Sequence, residues 1–140
     1  MCTILVVDDH THYLASVCRL LESYLPTARL VTATDGSTAL RLVQEQQLDL
    51  IILDYQLTTI TGTHLVRQMR ARAAMAGRVL PPIIMTSSQP DVALFVRMIK
   101  VQGYIPKPML EEHITTVIQP LLACVEDAVP TRRQLLWSIR

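Results

Sequence analysis

The sequence predicts a doubly wound α/β fold, in which helices cover both faces of a five-stranded parallel sheet. Short apolar runs of strand length alternate with longer segments whose apolar residues recur at helical spacing. Five runs and five segments follow one another in this way, as in parallel strands joined by right-handed helical crossovers. Half of the 140 residues are hydrophobic but only 4% are aromatic, so we expect one domain with an aliphatic core.

The first two strand and helix pairs occupy the N-terminal third of the chain. Residues 3–7 predict a strand, and residues 11–25 predict a helix that Pro26 ends. Residues 29–34 can form a second strand. The turn and cap residues 35–37 then predict the start of a second helix.

The third predicted strand is a run of four apolar residues, 50–53, between the carboxylates of Asp49 and Asp54. Its length fits a strand buried on both faces, although periodicity alone does not exclude a helical segment. Ligands and chemistry collect outside the carboxyl ends of strands in an open parallel sheet. Asp54 stands at that end, either as a reactive group or metal ligand or as a cap of the following loop.

The second half of the chain continues the alternation. A threonine-rich loop, residues 58–63, leads to a third helix, which we expect the proline pair 81–82 to end. The fourth strand covers residues 83–85 and ends at residues 86–87. Pro90 opens the fourth helix.

The last strand and its terminal turn are predicted at residues 103–108. A final helix is predicted from about Leu110 towards Asp127, with a kink at Pro120.

Polar residues stand at four of the five predicted strand ends: Asp8 and Asp9, Asp54, Thr86 and Lys107. In the flavodoxin-like strand order 2-1-3-4-5, the first and third strands are neighbours, so the three carboxylates would converge. Such a cluster repels itself unless protons or a cation neutralise it, and Mg²⁺ with oxygen ligands suits it best. Together with a lysine and a hydroxyl, the cluster indicates phosphoryl transfer to an aspartate.

These residues resemble the receiver domain of two-component response regulators, also called the CheY-like domain. The resemblance covers roughly residues 3–126. It rests on the following motifs: the Asp8-Asp9 pair, Asp54 closing an apolar strand, Gly62 eight residues later, Thr86-Ser87, and Tyr104 three residues before Lys107-Pro108.

The resemblance implies a role for each of these residues. Asp54 would be the phosphoacceptor. Asp9 would bind Mg²⁺ directly and Asp8 through water, with Asp54 and the backbone carbonyl of Gln56 as further ligands. The other implied roles are phosphoryl contacts from Thr86 and Lys107, a switch made by Thr86 and Tyr104, and tuning of the phosphoryl lifetime by Gln56, Ser87 and Ser88.

The resemblance also implies a signalling switch rather than an enzyme, although one that assists its own phosphorylation and dephosphorylation. A histidine kinase or phosphotransfer protein would charge Asp54 within a phosphorelay. The face made by the fourth helix, the fifth strand and the fifth helix would then control a partner or an output domain.

Two departures from the family pattern concern the loops around the site. The family usually has proline four residues after the phosphoacceptor, and Thr58 stands there, which loosens that loop. The second departure is Pro106, because a proline directly before the lysine is uncommon in the family, and it restricts Ile105 to extended conformations. Because receivers often have a cis peptide bond after the lysine, we expect Lys107-Pro108 to be cis.

Two alternatives stay open. An aspartyl-phosphate hydrolase of the haloacid dehalogenase type has similar ingredients, but its signature separates two aspartates by one residue, whereas Asp8 and Asp9 are adjacent. It also carries a cap-domain insertion, which this chain lacks. A receiver-like interaction module that is never phosphorylated typically loses an acid or the lysine, and this chain has kept them all.

The composition of the chain limits which binding partners and which cellular location we expect. A net charge of +1 argues against direct nucleic-acid binding by this chain. No apolar run approaches the roughly 18 residues of a membrane span, and no signal peptide is apparent, so we expect a cytoplasmic protein. The three cysteines, Cys2, Cys18 and Cys124, are scattered, which predicts reduced thiols.

We divide the chain into a receiver domain, residues 1–127, and a C-terminal tail or linker, residues 128–140. The tail carries four large apolar residues among arginines: Leu135, Leu136, Trp137 and Ile139. Such residues need a burial site. The tail could pack back on this domain's own core, mediate a homodimer or lead to an output domain, and we favour burial against another copy or an output domain.

Overall fold

The computed structural model describes residues 1–122, without the side chains of Leu94, Phe95 and Met98. Five strands make one parallel sheet: β1 (Thr3–Val7), β2 (Arg29–Ala33), β3 (Leu50–Asp54), β4 (Ile83–Ser87) and β5 (Gly103–Pro106). Their order is β2-β1-β3-β4-β5. The predicted doubly wound fold and its strand order are confirmed.

Four helices connect the strands: α1 (Thr11–Tyr24), α2 (Gly36–Glu45), α3 (Gly62–Met75) and α4 (Val92–Met98). A fifth, α5 (Glu111–His113), continues into a π-helical turn (Ile114–Ile118) and a 3-10 turn (Gln119–Leu121). No helix within residues 1–122 has the length and apolar character that crossing a bilayer requires.

The sheet separates two aliphatic cores. Every residue of β1, β3 and β4 is buried, because these strands lie inside the sheet and helices cover both of its faces. Successive side chains of a strand point to opposite faces. Ile52 therefore joins α1 and the π-helical turn on one face, whereas Leu53 joins α2, α3 and α4 on the other.

The boundaries of α3 differ from the sequence prediction at both ends. Gly62 is the first residue of the helix rather than part of the loop, and the side chain of Thr61 caps it by accepting a hydrogen bond from the backbone N–H of His64. The helix ends at Met75, well before the proline pair. Gly77, with φ of 65°, supplies the left-handed residue of a Schellman turn, in which the N–H of Arg78 bonds the carbonyl of Ala73 at 2.8 Å.

The final helix is less regular than the sequence predicts. Its α-helical part is only one turn, and the described helical structure ends at Leu121; the predicted end near Asp127 falls on residues that the structure does not describe. Pro120 has no N–H to donate to the preceding turn, and the chain passes through the π-helical and 3-10 turns around it. Residues 123–127 and the predicted tail, residues 128–140, lie outside the described residues.

Two smaller predictions have opposite outcomes. The Lys107-Pro108 peptide bond is cis, as expected. Cys18 is a free cysteine, but Cys2 is disulfide-bonded, so the prediction of reduced thiols is wrong for Cys2. Cys124 lies outside the described residues.

Candidate functional site

The predicted site residues at the strand ends, Asp8, Asp54, Thr86 and Lys107, lie together at the carboxyl edge of the sheet. Asp54 lies opposite Thr86 in the β3–β4 register, and β1 pairs with β3 on the other side. Strand alternation places both residues on the face covered by α1. The residues are nearly inaccessible to solvent: Asp8 is 2% exposed, Asp54 3% and Thr86 3%.

Lys107 bridges the two buried carboxylates. Its Nζ lies 2.8 Å from Oδ2 of Asp8 and 3.1 Å from Oδ2 of Asp54. The lysine follows β5, and its backbone N–H donates to the carbonyl of Ser87 at 2.9 Å, which fixes the turn beside the site. One ammonium therefore neutralises part of a charge that two adjacent carboxylates could not hold alone in a buried site.

The contact between Lys107 and the buried acids shifts the pKa of both Asp54 and Lys107. Burial raises the pKa of Asp54, the charge of Asp8 raises it further, and Lys107 opposes both effects. Burial acts to lower the pKa of Lys107, but the hydrogen bond to Asp8 and the charge of Asp54 outweigh it, so that pKa is raised. The lysine is thus charged at neutral pH, and Asp54 holds a proton more readily than an exposed aspartate does.

Asp9 completes the acidic cluster and has one unsatisfied oxygen. Its Oδ2 accepts a hydrogen bond from the hydroxyl of Thr58. Its Oδ1 is buried and has no hydrogen-bond partner among the described residues, although it lies 3.0 Å from Nδ1 of His10. The backbone N–H of His10 donates to Oδ1 of Asp8 at 2.9 Å and so helps to orient that carboxylate.

The residues present fit a divalent cation. One ligand atom from each of Asp8, Asp9, His10 and Asp54 lies within 4.8 Å of the others. Three of the four offer carboxylate oxygens, the donors that Mg²⁺ prefers. A buried carboxylate oxygen without a partner, Oδ1 of Asp9, is costly unless a cation or water satisfies it.

An open cleft of about 450 Å³ leads to the acids. The predicted tuning residues Gln56, Ser87 and Ser88 line it, together with Asp54 and Lys107. The backbone N–H of Gln56 lies 3.3 Å from Oδ1 of Asp54, and its side chain accepts a hydrogen bond from Gln89 at 3.1 Å. A small anionic group can therefore reach Asp54 from solvent.

Tyr104 lies on β5, on the opposite face of the sheet from Ile105. Its ring is half-buried against the core beneath α4, and its hydroxyl is 3.5 Å from the carbonyl of Ser87. The carbonyl belongs to Ser87, which directly follows Thr86 in β4, so Tyr104 contacts the backbone of the residue next to the other predicted switch residue.

Sequence reasoning missed three contacts of the site. It assigned no role to Tyr13, whose ring centroid lies 4.4 Å from Nζ of Lys107, and treated Thr58 only as a looser substitute for proline. It also gave the histidines near the acids no metal role, whereas His10 joins the cluster. The available signal was position: Tyr13 lies in the first turn of the helix that follows the acidic pair.

Comparisons with known proteins identify the family and confirm the fold. A family model described as the response regulator receiver domain matches residues 4–119. The chemotaxis protein CheY of Pseudomonas aeruginosa is 27% identical over 119 residues, which cover 84% of this chain and 94% of CheY. The transcriptional regulatory protein PhoP of Bacillus subtilis is 27% identical over 131 residues, which cover 91% of this chain and 51% of PhoP.

Several of these relatives are longer proteins. The chain spans about half the length of PhoP and of the probable transcriptional regulator ycf27 of Cyanophora paradoxa, of which it covers 51% and 49%. Among solved structures, Vibrio cholerae CheY4 superposes with a TM-score of 0.73 at 26% identity, covering 87% of this chain and 99% of CheY4. Response regulator TrrA of Thermotoga maritima, solved with Mg²⁺ and BeF, has the same fold, with a TM-score of 0.74 at 22% identity over 87% of this chain and 100% of TrrA.

Proposed function

We propose, since this chain belongs to the response regulator receiver family, that it is a phosphorylation-dependent switch whose phosphoacceptor is Asp54. The observation that carries the proposal is the position of Lys107 between two buried carboxylates, one of which faces an open cleft. A carboxylate oxygen of Asp54 would form a bond to phosphorus. The bond from phosphorus to the donor would break, and the leaving group would depart through the cleft.

The chain's own residues supply most of what this transfer needs. Lys107 already lies within hydrogen-bond distance of Asp54, so its ammonium can stabilise charge on the transferred phosphoryl oxygens. Burial excludes water from one side of the carboxylate, which strengthens that electrostatic contact. Asp8, Asp9, Asp54 and the backbone carbonyl of Gln56 would hold Mg²⁺. The ion would neutralise the acids and the incoming phosphoryl group.

Switching would follow from the new charge. A phosphoryl group adds about −1.5 to −2 charge and acceptor oxygens next to Asp54. Thr86, directly opposite in the register, and Lys107 would turn towards those oxygens. Tyr104 lies on the opposite face of the sheet, so the movement of Thr86 would reach it through the neighbouring Ser87, whose carbonyl is 3.5 Å from the Tyr104 hydroxyl. This movement would shift the population of the face made by α4, β5 and α5.

The first experiment tests the acceptor. Wild type, Asp54→Asn and Asp49→Asn are incubated with acetyl phosphate, with and without Mg²⁺, and the intact mass is measured. Asp49 is a matched control, because it flanks the other end of the same strand and bonds the backbone N–H of Thr3 at 2.8 Å. We expect Mg²⁺-dependent phosphate addition to wild type and Asp49→Asn only. Equal modification of Asp54→Asn, or none of wild type, would reject Asp54 as the acceptor.

A second experiment separates charging from switching. Thr86→Ala should still bind Mg²⁺ and beryllofluoride, a phosphoryl mimic, but should transmit less to β5, whereas Thr86→Ser keeps the hydroxyl. We expect the chemical-shift response around Tyr104 to fall in Thr86→Ala and to persist in Thr86→Ser. An undiminished response in Thr86→Ala would exclude this coupling.

The wider setting follows as part of the same proposal. A histidine kinase or phosphotransfer protein in the cytoplasm would supply the phosphoryl group, and the switch would assist both its own charging and its own hydrolysis. We assign residues 1–127 to the receiver and residues 128–140 to a tail or linker. PhoP and ycf27 are named as transcriptional regulators, which favours an output domain or a homodimer as the target of the switched face.

A further inference from the structure

Within the described residues, the ammonium of Lys107 contacts two carboxylates and one uncharged group, an aromatic ring. The carboxylates of Asp8 and Asp54 lie 2.8 and 3.1 Å from Nζ, and the ring centroid of Tyr13 lies 4.4 Å away. A distance below about 6 Å is within the range of a cation–π interaction. The side chain of Lys107 is only 12% exposed, so water screens this contact weakly.

Tyr13 is itself held from two sides. Its backbone belongs to the first turn of α1, and its hydroxyl accepts a hydrogen bond from the backbone N–H of Met109 at 3.0 Å. Met109 lies two residues beyond Lys107 and is buried in the core beneath α1. The ring therefore spans the helix that follows the acidic pair and the turn that carries the lysine.

We propose that Tyr13 is a positioning residue for Lys107, which holds the ammonium over the acceptor carboxylate while the lysine changes partners. The role of the lysine in phosphoryl transfer rests on the proposed function, but its contact with the ring does not. During transfer the ammonium must exchange Asp54 for a phosphoryl oxygen. An aromatic face attracts it throughout that exchange without adding a negative charge that would compete with the phosphoryl group.

Two substitutions of Tyr13 distinguish the contact of its ring with Lys107 from the hydrogen bond of its hydroxyl with Met109. Tyr13→Phe keeps the ring and removes the hydroxyl that accepts from Met109. Tyr13→Leu removes both but retains an apolar side chain of similar burial. We expect Tyr13→Leu to lower the maximal rate of phosphorylation by acetyl phosphate roughly fivefold to thirtyfold, the size of a shielded cation–π contact. Tyr13→Phe should stay within about threefold of wild type, since an aromatic face remains.

A spectroscopic signature tests the contact itself. Nζ of Lys107 lies over the Tyr13 ring, 4.4 Å from its centroid, so we expect ring current to shift the resonances of the protons on the adjacent lysine carbon upfield. We expect that shift in wild type and Tyr13→Phe and its loss in Tyr13→Leu, with or without phosphorylation. Tyr24→Leu is the control, because Tyr24 lies at the far end of the same helix and bonds Glu111 instead.

A double-mutant cycle completes the test. If Tyr13 acts through Lys107, Tyr13→Leu should slow the residual phosphorylation of Lys107→Met no further. The positioning role would be overturned if Tyr13→Leu slowed phosphorylation of Lys107→Met by the same factor as it slows phosphorylation of wild type. Absence of the upfield shift in wild type would also overturn it. Failure of wild type to accept phosphate on Asp54 would instead reject the proposed function, and the lysine resonances would still decide whether Tyr13 holds the ammonium.

Discussion

Gly62 is the position at which a single methyl group should damage both the fold and the site. A Cβ at Gly62 would lie 2.6 Å from the carbonyl oxygen of Asp54, 2.8 Å from Cα of Tyr55 and 2.8 Å from Sδ of Met85. Ordinary van der Waals contact begins at 3.4 Å. Two of these three atoms are backbone, so the end of β3 or the start of α3 must move by several tenths of an ångström.

The expected cost follows from those contacts. Overpacking a buried site costs about 1–3 kcal/mol, and contacts with backbone atoms belong in the upper half of that range. We therefore expect Gly62→Ala to lower the free energy of unfolding by about 2–3 kcal/mol in urea denaturation. The displaced carbonyl belongs to the acceptor residue, so Mg²⁺-dependent phosphorylation of Asp54 should slow as well.

Gly36→Ala is the matched control, because Gly36 is the first residue of α2 as Gly62 is of α3. Its new Cβ would lie closer than ordinary contact to Cγ2 of Ile60, at 3.1 Å, and would otherwise meet only side-chain atoms of Leu65 at 3.6 and 3.9 Å, so a side chain rather than the backbone has to give way. Replacing glycine by alanine at a compatible site stabilises a fold by about 0.4–1 kcal/mol through the unfolded chain. The reasoning is refuted if the unfolding free energies of the two variants differ by less than about 0.5 kcal/mol, the usual size of the effect of an ordinary surface substitution.

Three further predictions concern charge, metal and the tail. Burial raises the pKa of Asp54, so its ionisation lowers the free energy of unfolding as pH rises from the ordinary carboxyl pKa to the raised one. We expect Asp54→Asn to have a higher free energy of unfolding than wild type near pH 7 in EDTA. A gain in stability of the same size at pH 4 would contradict this. Thr58→Val removes the hydroxyl that orients Asp9, so calorimetry should show Mg²⁺ affinity lowered roughly tenfold, and unchanged affinity would show that Asp9 needs no such support. Residues 131–140 lie outside the described residues, and we expect their deletion to weaken self-association in sedimentation. In the intact chain, the emission of Trp137 reports whether the tail is buried. The same monomer with and without the tail would exclude that role.

The fold could be predicted because short apolar runs of strand length alternate along the chain with segments of helical spacing. The run 50–53 is apolar at every position, as a strand buried on both faces requires, and a polar residue ends it. The same rule placed Asp8, Asp54 and Lys107 at one edge of the sheet, where the structure brings their side chains into contact. The carboxyl ends of parallel strands lie at the same edge of a sheet, whatever the conformation of the loops between them.

The parts that were not predicted depend on contacts between elements rather than on local pattern. The packing of α1 against the turn after β5 brings Tyr13 to Lys107, and no spacing within either segment encodes that contact. The hydroxyl of Thr58 meets Asp9 across a loop for the same reason. The end of α3 was misplaced because Gly77 closes a Schellman turn before the prolines are reached.

The measurement that tests the central claim most directly is identification of the residue that carries the phosphoryl group. Wild-type protein is treated with acetyl phosphate in Mg²⁺ or in EDTA, and borohydride then reduces any aspartyl phosphate to homoserine, which peptide mass spectrometry locates. We expect homoserine at position 54 only, and only in the Mg²⁺ sample. Homoserine at Asp8 or Asp9, or equal conversion of Asp54 in EDTA, would contradict the assignment of Asp54 as the metal-dependent phosphoacceptor.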